Sequence, residues 1–255
     1  MALKRSALHS SSADGEFQER DCREMPAAYT DPAEEYLAIT TAAAVYDASF
    51  MGRLKATGVD ALDLLNRLST NKVDHLQPGH GAPTVLTTDR GRILDVITVL
   101  QAGDHVLLLT SPGLQQTVIE WLDKYTIMED LTVEDVSPQT SMAAVWGPES
   151  RTCVEKATGA SLSEMPLYHT VATDMEGSTV RIVSSSMSDL PGYFLIATSD
   201  AASGVWQRLV EAGATPMGAD ALETARISKG LPIHGRELGE DYNPLEAALI
   251  GAIDF

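Results

Sequence analysis

Several residues of this 255-residue chain have the types and spacing that chemistry needs. Glu223 and Arg226 stand three apart in a stretch of helical periodicity, so they share one helix face. They form either an internal ion pair or a guanidinium offered to a ligand. Downstream, the polar stretch Leu231 to Asn243 carries His234, Arg236, Glu237, Glu240, Asp241 and Tyr242. About a dozen residues between two helices is more than connection alone needs. Its Arg236 and His234 could meet a carboxylate, or face solvent. Tyr242 and Asn243 could line a cavity, with capping of the following helix as the alternative for Asn243. Asp47 reads equally as a buried acid at a site edge and as a turn residue holding backbone amides. Met51 reads equally as cavity lining and as core. The six histidines are scattered and give no metal site, and Cys22 and Cys153 lie too far apart for a metal-ligand pair.

The elements that must position these groups follow from periodicity and turn chemistry. Asp31-Pro32 opens a helix. Arg53 to Thr57 is a strand. Asp60 to Val73 is the clearest helix, with Asp60 as its N-cap and Ala61, Leu64, Leu65 and Leu68 on one face. Strands are expected at Thr84 to Thr87, Ile93 to Leu100, His105 to Thr110 and Leu131 to Val136, with Asp89 to Arg92 a hairpin turn. Leu114, Val118, Trp121, Leu122 and Tyr125 mark a helix. A second pass follows: strand Met142 to Trp146, helix Glu149 to Thr158, strands Thr179 to Val183 and Tyr193 to Thr198, helix Ala202 to Glu211. The helix carrying Arg226 ends at Lys229-Gly230. Pro244 suits the first turn of a short helix, Leu245 to Ile250, and Ala252 to Phe255 begins a strand. Residues 1–24 are polar and aperiodic and read as mobile. The expected fold class is α+β: two ferredoxin-like split β-α-β modules with antiparallel sheets, at 25–137 and 138–255.

Composition narrows the function. With 44% hydrophobic residues and no apolar run near the roughly 18 residues of a membrane span, the chain reads as globular and not membrane-spanning. Its net charge of −18 repels phosphate backbones and anionic lipid, which argues against direct nucleic-acid binding. The first residues carry two basic side chains and no apolar h-region, so a secretory signal is not expected, and the cysteines read as free thiols of a reducing compartment. The expected location is the cytoplasm, or the mitochondrial matrix in a eukaryote.

Three runs in order carry a resemblance. They are Gly218, Ala221, Leu222, Glu223, Arg226 and Ile227; then Gly230 to Leu238; then Asn243 to Leu249. With Val45-Tyr46-Asp47, Met51-Gly52 and Thr70-Asn71, they resemble the folate-binding YgfZ branch. That branch is similar in turn to GcvT, the aminomethyltransferase of the glycine cleavage system. The resemblance implies tetrahydrofolate in a central cavity, and iron–sulfur proteins as partners of the YgfZ branch. In GcvT an acid of a Gly-x-x-Asp-Asp run orients the reacting folate nitrogen. Here that run is Gly91-Arg92-Ile93-Leu94-Asp95-Val96. Asp95 is present, and Val96 stands at the catalytic position. Period-two alternation puts the two on opposite faces, so Asp95 cannot replace the missing acid without a bulge or register shift.

Other positions depart as well. Where the families offer Gly-Phe-Glu, with the Glu gripping the pterin edge, this chain has Gly192-Tyr193-Phe194. Phe194 can border a ring and cannot accept hydrogen bonds from one. The sequence thus names Asp95 as the catalytic candidate. Met51, Asp95, Val96, Tyr193, Phe194, Arg226, Arg236 and Tyr242 are the folate-contact candidates. It supports a YgfZ-type folate-binding accessory protein first. A GcvT-type aminomethyltransferase or demethylase is the alternative, and a scaffold without ligand, lacking the branch's C-terminal barrel, is the third reading.

Overall fold

The computed structural model describes residues 5–8, 16–20, 23–163 and 165–255. They form two compact units: Met1–Ser49, Pro138–Leu167 and Val171–Leu231 make the first, and Phe50–Ser137, Tyr168–Thr170 and Pro232–Phe255 the second. The units interleave along the chain, where the sequence suggested modules in series at 25–137 and 138–255. Long-range strand pairing causes the difference, because an early strand belongs to the later sheet.

The first unit begins with β1 (Glu16–Arg20) and β2 (Arg23–Ala28), an antiparallel pair. Glu16–Arg20 is therefore a strand, although its polar sequence gave no element; the rest of 1–24 lies largely outside the described residues. Helix α1 (Pro32–Thr41) is capped as its sequence requires: Asp31 accepts the Ala33 amide at 2.8 Å and Pro32 opens the first turn. Glu35, fully buried, accepts amides from Tyr29 (2.6 Å), Thr30 (2.8 Å) and Gly218 (2.8 Å). Three N–H donors stabilise a buried carboxylate that would otherwise be costly. Strand β3 (Ala44–Asp47) follows.

The second unit opens with β4 (Gly52–Thr57) and helix α2 (Ala61–Leu68), which buries Ala61, Leu64 and Leu65. The helix stops five residues short of Val73. Ser69 bridges to Leu86, and the Thr70 amide donates to the Val85 carbonyl, so the next stretch runs beside a strand. Asp60 does not cap α2; it accepts the Asp130 amide at 2.8 Å instead. Strands β5 (Gly81–Thr87), β6 (Ile93–Gln101) and β7 (Val106–Thr110), helix α3 (Gln115–Tyr125) and β8 (Thr132–Asp135) complete the set. The sheet is antiparallel throughout, in the order β5-β6-β7-β4-β8. One face holds a core of Leu54, Ala61, Leu65, Leu86, Leu108, Val118 and Leu122 under α2 and α3. Each such leucine or valine contributes about 1.5–3 kcal/mol on burial.

Back in the first unit, β9 (Thr140–Trp146) pairs antiparallel with β3. Helix α4 (Ser150–Thr158), strands β10 (Thr170–Met175), β11 (Ser178–Met187) and β12 (Leu190–Thr198), helix α5 (Ala202–Glu211), strand β13 (Thr215–Pro216) and helix α6 (Ala219–Ser228) follow. The six-stranded sheet runs β10-β11-β12-β9-β3-β13, with β13 parallel to β3. Val145, Tyr193 and Leu195 meet Val154, Val205 and Leu209 of α4 and α5 on one face.

The C-terminal segment, Pro232 to Phe255, belongs to the second unit. No α-helix forms at Leu245 to Ile250. Asn243 Oδ1 accepts the Leu245 and Glu246 amides, and Ala248 has φ 55°, which turns the chain out of helix. A single 3-10 turn, Ile250–Ala252, follows. Ala252 to Phe255 forms no strand; its one ladder-like contact is the Asp254 amide on the Thr70 carbonyl at 2.9 Å. The architecture is mixed α+β with antiparallel sheets and no barrel among the described residues. No helix among them is long and apolar enough to cross a membrane.

Candidate functional site

Asp95 and Val96 lie on opposite faces of β6. Leu94 is an extra residue on this strand, since Thr87 pairs with Ile93 and Leu86 with Asp95. This bulge lies just before Asp95 and leaves the alternation of Asp95 and Val96 intact. Leu86, the cross-strand partner of Asp95, belongs to the core under α2 and α3, and so does Leu94. Val96 pairs with Val85 on the other face, where Ile93, Leu238 and Ala252 also pack.

The Asp95 carboxylate is accordingly committed inside the second unit. Oδ2 accepts the Ser111 amide at 3.0 Å, and Oδ1 accepts the Val96 amide at 2.8 Å. The residue is fully buried, and burial pushes its carboxyl up from 3.8 to about 6; the hydrogen bonds from Ser111 and Val96 pull it partly back. Asp95 ties β6 to the turn before α3, and its geometry is that of a structural acceptor.

The face bearing Val96 is closed by the C-terminal segment. Val96, Ala247 and Leu249 pack around Val85, Ile93, Leu238 and Ala252. The Ile93 amide donates to the Tyr242 carbonyl at 3.0 Å, and Arg92 Nη1 reaches the Asp241 carbonyl and Glu246, each at 3.1 Å. Tyr242 itself is half-exposed. The long loop is therefore ordered, with His234 bridged to Leu238 and the Leu238 amide donating to the Ile233 carbonyl. Burial lowers the His234 imidazole below its usual range, and Glu240 opposes this. Arg236 lies exposed on the same turn. Met51 is partly buried, and its carbonyl accepts the Arg53 guanidinium. Asn243 acts as a cap.

In the first unit the candidates divide between structure and site. Arg226, almost fully buried, holds Glu223 in a two-pronged ion pair, Nε to Oε2 at 2.7 Å and Nη2 to Oε1 at 2.6 Å. Its Nη1 donates to the Leu231 carbonyl at 3.1 Å, which locks the chain as it leaves α6. Tyr193 is a core residue beneath α4 and α5, where burial raises its phenol. Asp47 accepts the Ser49 amide at 3.0 Å and the Ser6 hydroxyl, so it is a turn acid.

Phe194 points to the opposite face from Tyr193. It meets Trp146 edge-on, with ring centroids 5.9 Å apart. The cross-strand register places Ser185, Gly192 and Trp146 in one row across β11, β12 and β9. Both Trp146 Nε1 and Ser185 Oγ are buried there without a hydrogen-bond partner. The sequence reading passed over these two residues. The signal available was Ser184-Ser185-Ser186, a polar run inside an apolar strand.

The profile of the GCVT N-terminal domain matches residues 9–255. The chain belongs to the GCVT N-terminal domain family. Its relatives include the aminomethyltransferase of Bacillus subtilis (strain 168), 28% identical over 89% of this chain and 64% of that protein. A putative chloroplastic transferase of Arabidopsis thaliana is 31% identical over 82% of this chain and 49% of that protein. Among solved structures, the glycine cleavage system aminomethyltransferase T from Bartonella henselae superposes with a TM-score of 0.89 at 21% identity. That match covers 99% of this chain and 70% of the other, and establishes the fold. The chain spans 64% of the Bacillus subtilis relative's length, so the GCVT N-terminal domain accounts for part of such a protein. Within this GCVT domain, Val96 and Phe194 occupy the two positions where the sequence resemblance implies acids.

Proposed function

We propose that this GCVT-family region binds tetrahydrofolate and serves a one-carbon transfer of the aminomethyltransferase or demethylase type. The observation that carries this reading is the family match across residues 9–255. A local feature suits the ligand: the partnerless donors Trp146 Nε1 and Ser185 Oγ can receive the acceptor edge of a pterin ring. The bound folate would supply the nitrogen that carries the one-carbon unit. This chain's contribution is then to bind and orient the ligand and to exclude water from it.

Asp95 is not available for proton exchange with the ligand, because both of its oxygens are held on the helix-covered face of β6. Val96, on the other face, has no proton to give. This pair, with Phe194 in place of an acid, favours a second reading: a YgfZ-type folate-binding protein that assists iron–sulfur enzymes without turnover. Calorimetry with tetrahydrofolate and its 5-formyl form tests binding, and absence of heat with both removes the folate reading. Incubation with tetrahydrofolate and aminomethyl or methylamine donors separates the two readings. One-carbon folate product supports the transferase, and saturable binding without product supports the accessory protein.

A further inference from the structure

We propose that Trp146 Nε1 and Ser185 Oγ form a two-donor notch over Gly192 that reads a ring carbonyl on the ligand's heterocycle. This rests on the folate reading and specifies how the ring is selected. Directly opposed residues in an antiparallel sheet share a face. Ser185 opposes Gly192, and Gly192 opposes Trp146, so both polar side chains rise from the same side with only hydrogen between them. Gly192 is what brings the indole over the middle strand: a Cβ there would lie 2.2 Å from Trp146 Cδ1. The Cδ1 edge of the indole thus lies over Gly192, the residue that Ser185 opposes from the other side.

Ser185 is 6% exposed and Trp146 8%, yet neither polar atom has a partner. A buried donor without an acceptor is costly, and two in one row ask for a shared acceptor. Two further unpartnered buried atoms among the described residues differ in this respect. Ser141 Oγ lies at the far end of β9, and Trp121 Nε1 lies on α3 of the second unit. Phe194, two residues along β12 on the same face, adds an aromatic edge against Trp146 and is itself only partly buried. An indole N–H only donates, so an amino group leaves Trp146 unmet even where the Ser185 hydroxyl turns to accept it; a carbonyl oxygen satisfies both, and the notch prefers it. A site that hydrogen-bonds one group rejects an analogue that leaves its donors unmet.

The test compares folic acid with aminopterin, which differ by a ring carbonyl against an amino group, on the whole chain by calorimetry. The parent is expected to bind folic acid more tightly. Ser185→Ala and Trp146→Phe should each weaken folic acid by about two- to tenfold, with little effect on aminopterin, so the preference shrinks. Ligand-free thermal unfolding provides a second readout: Ser185→Ala should leave Tm unchanged or raised, since it removes an unpaired hydroxyl. Equal binding of both ligands by the parent, or a preference that survives both substitutions, overturns the notch and leaves the folate reading standing. A drop of several degrees in the ligand-free Tm of Ser185→Ala shows the hydroxyl is used within the fold and also overturns it. No binding of either ligand by the parent, or of reduced folate, removes both proposals together.

Discussion

Asp95→Asn turns the placement of this carboxyl into a measurable pH dependence. Burial holds the native carboxyl at about 6, against 3.8 for an unperturbed aspartate. The folded state therefore binds this proton more tightly than the unfolded state. The stability that Asp95 contributes is fully present below about pH 4 and is lost as pH rises through about 6. Roughly two pH units at about 1.4 kcal/mol each give roughly 3 kcal/mol between those limits. Asparagine keeps the shape and one carbonyl acceptor and cannot ionise, so it imitates the protonated acid at every pH. Other groups add their own pH dependence: Arg67 and the Ile127 and Met128 amides hold the folded Glu129 carboxyl down near 2, against 4.5 when unperturbed. The informative quantity is thus the difference between parent and variant. Urea unfolding followed by circular dichroism at fixed ionic strength, from pH 4 to 7.5, supplies it. The parent should lose roughly 3 kcal/mol relative to Asp95→Asn as pH rises. A flat difference, or one that grows in the parent's favour with pH, would refute the reasoning. It would mean that the Ser111 and Val96 amides outweigh the cost of burial.

Glu35→Gln replaces a buried carboxylate that serves three amides with a group offering one acceptor oxygen and an unwanted donor. It should cost about 2–5 kcal/mol, seen as a lower urea midpoint, and exchange of the Gly218 amide should quicken. Arg226→Ala strands Glu223 and frees the Leu231 carbonyl. A loss of about 3 kcal/mol is expected, smaller when Glu223→Gln is made with it, because the double variant leaves no unpaired charge. An additive double variant would show that the ion pair is not the cause.

Where local chemistry decides, the sequence was informative. Asp31-Pro32 specified the start of α1 because a cap and a fixed φ are properties of those two residues alone. The range expected for α5, Ala202 to Glu211, matches the observed helix, whose buried Val205, Trp206 and Leu209 recur at helical spacing. Where distant chain decides, it was not. Thr170–Met175 is buried only at its two ends and shows no strand alternation. Leu245 to Ile250 carries helix-forming residues behind a proline, yet it folds against Val85 and Val96, and Ala248 takes a left-handed turn to do so. The candidate site divides the same way. The opposite facing of Asp95 and Val96 follows from strand period alone, whereas the row of Ser185, Gly192 and Trp146 exists only through the register of three strands. Arg226 and Glu223 were legible as neighbours, and only burial shows that the pair is spent on the fold.

The interleaving of the two units has a consequence for synthesis on the ribosome. Ala44 pairs with Trp146, so strand Ala44–Asp47 emerges long before the strand that neighbours it. At about 5–20 residues per second, it waits roughly five to twenty seconds as an open edge. All five strands of the second unit's sheet, β4 to β8, are made during that interval and are local in sequence. The nascent chain thus folds its middle before its beginning. Stalling the ribosome once residue 137, and not yet β9, has left the exit tunnel should leave the second sheet formed and the segment Arg23 to Ser49 of the other unit still sensitive to protease.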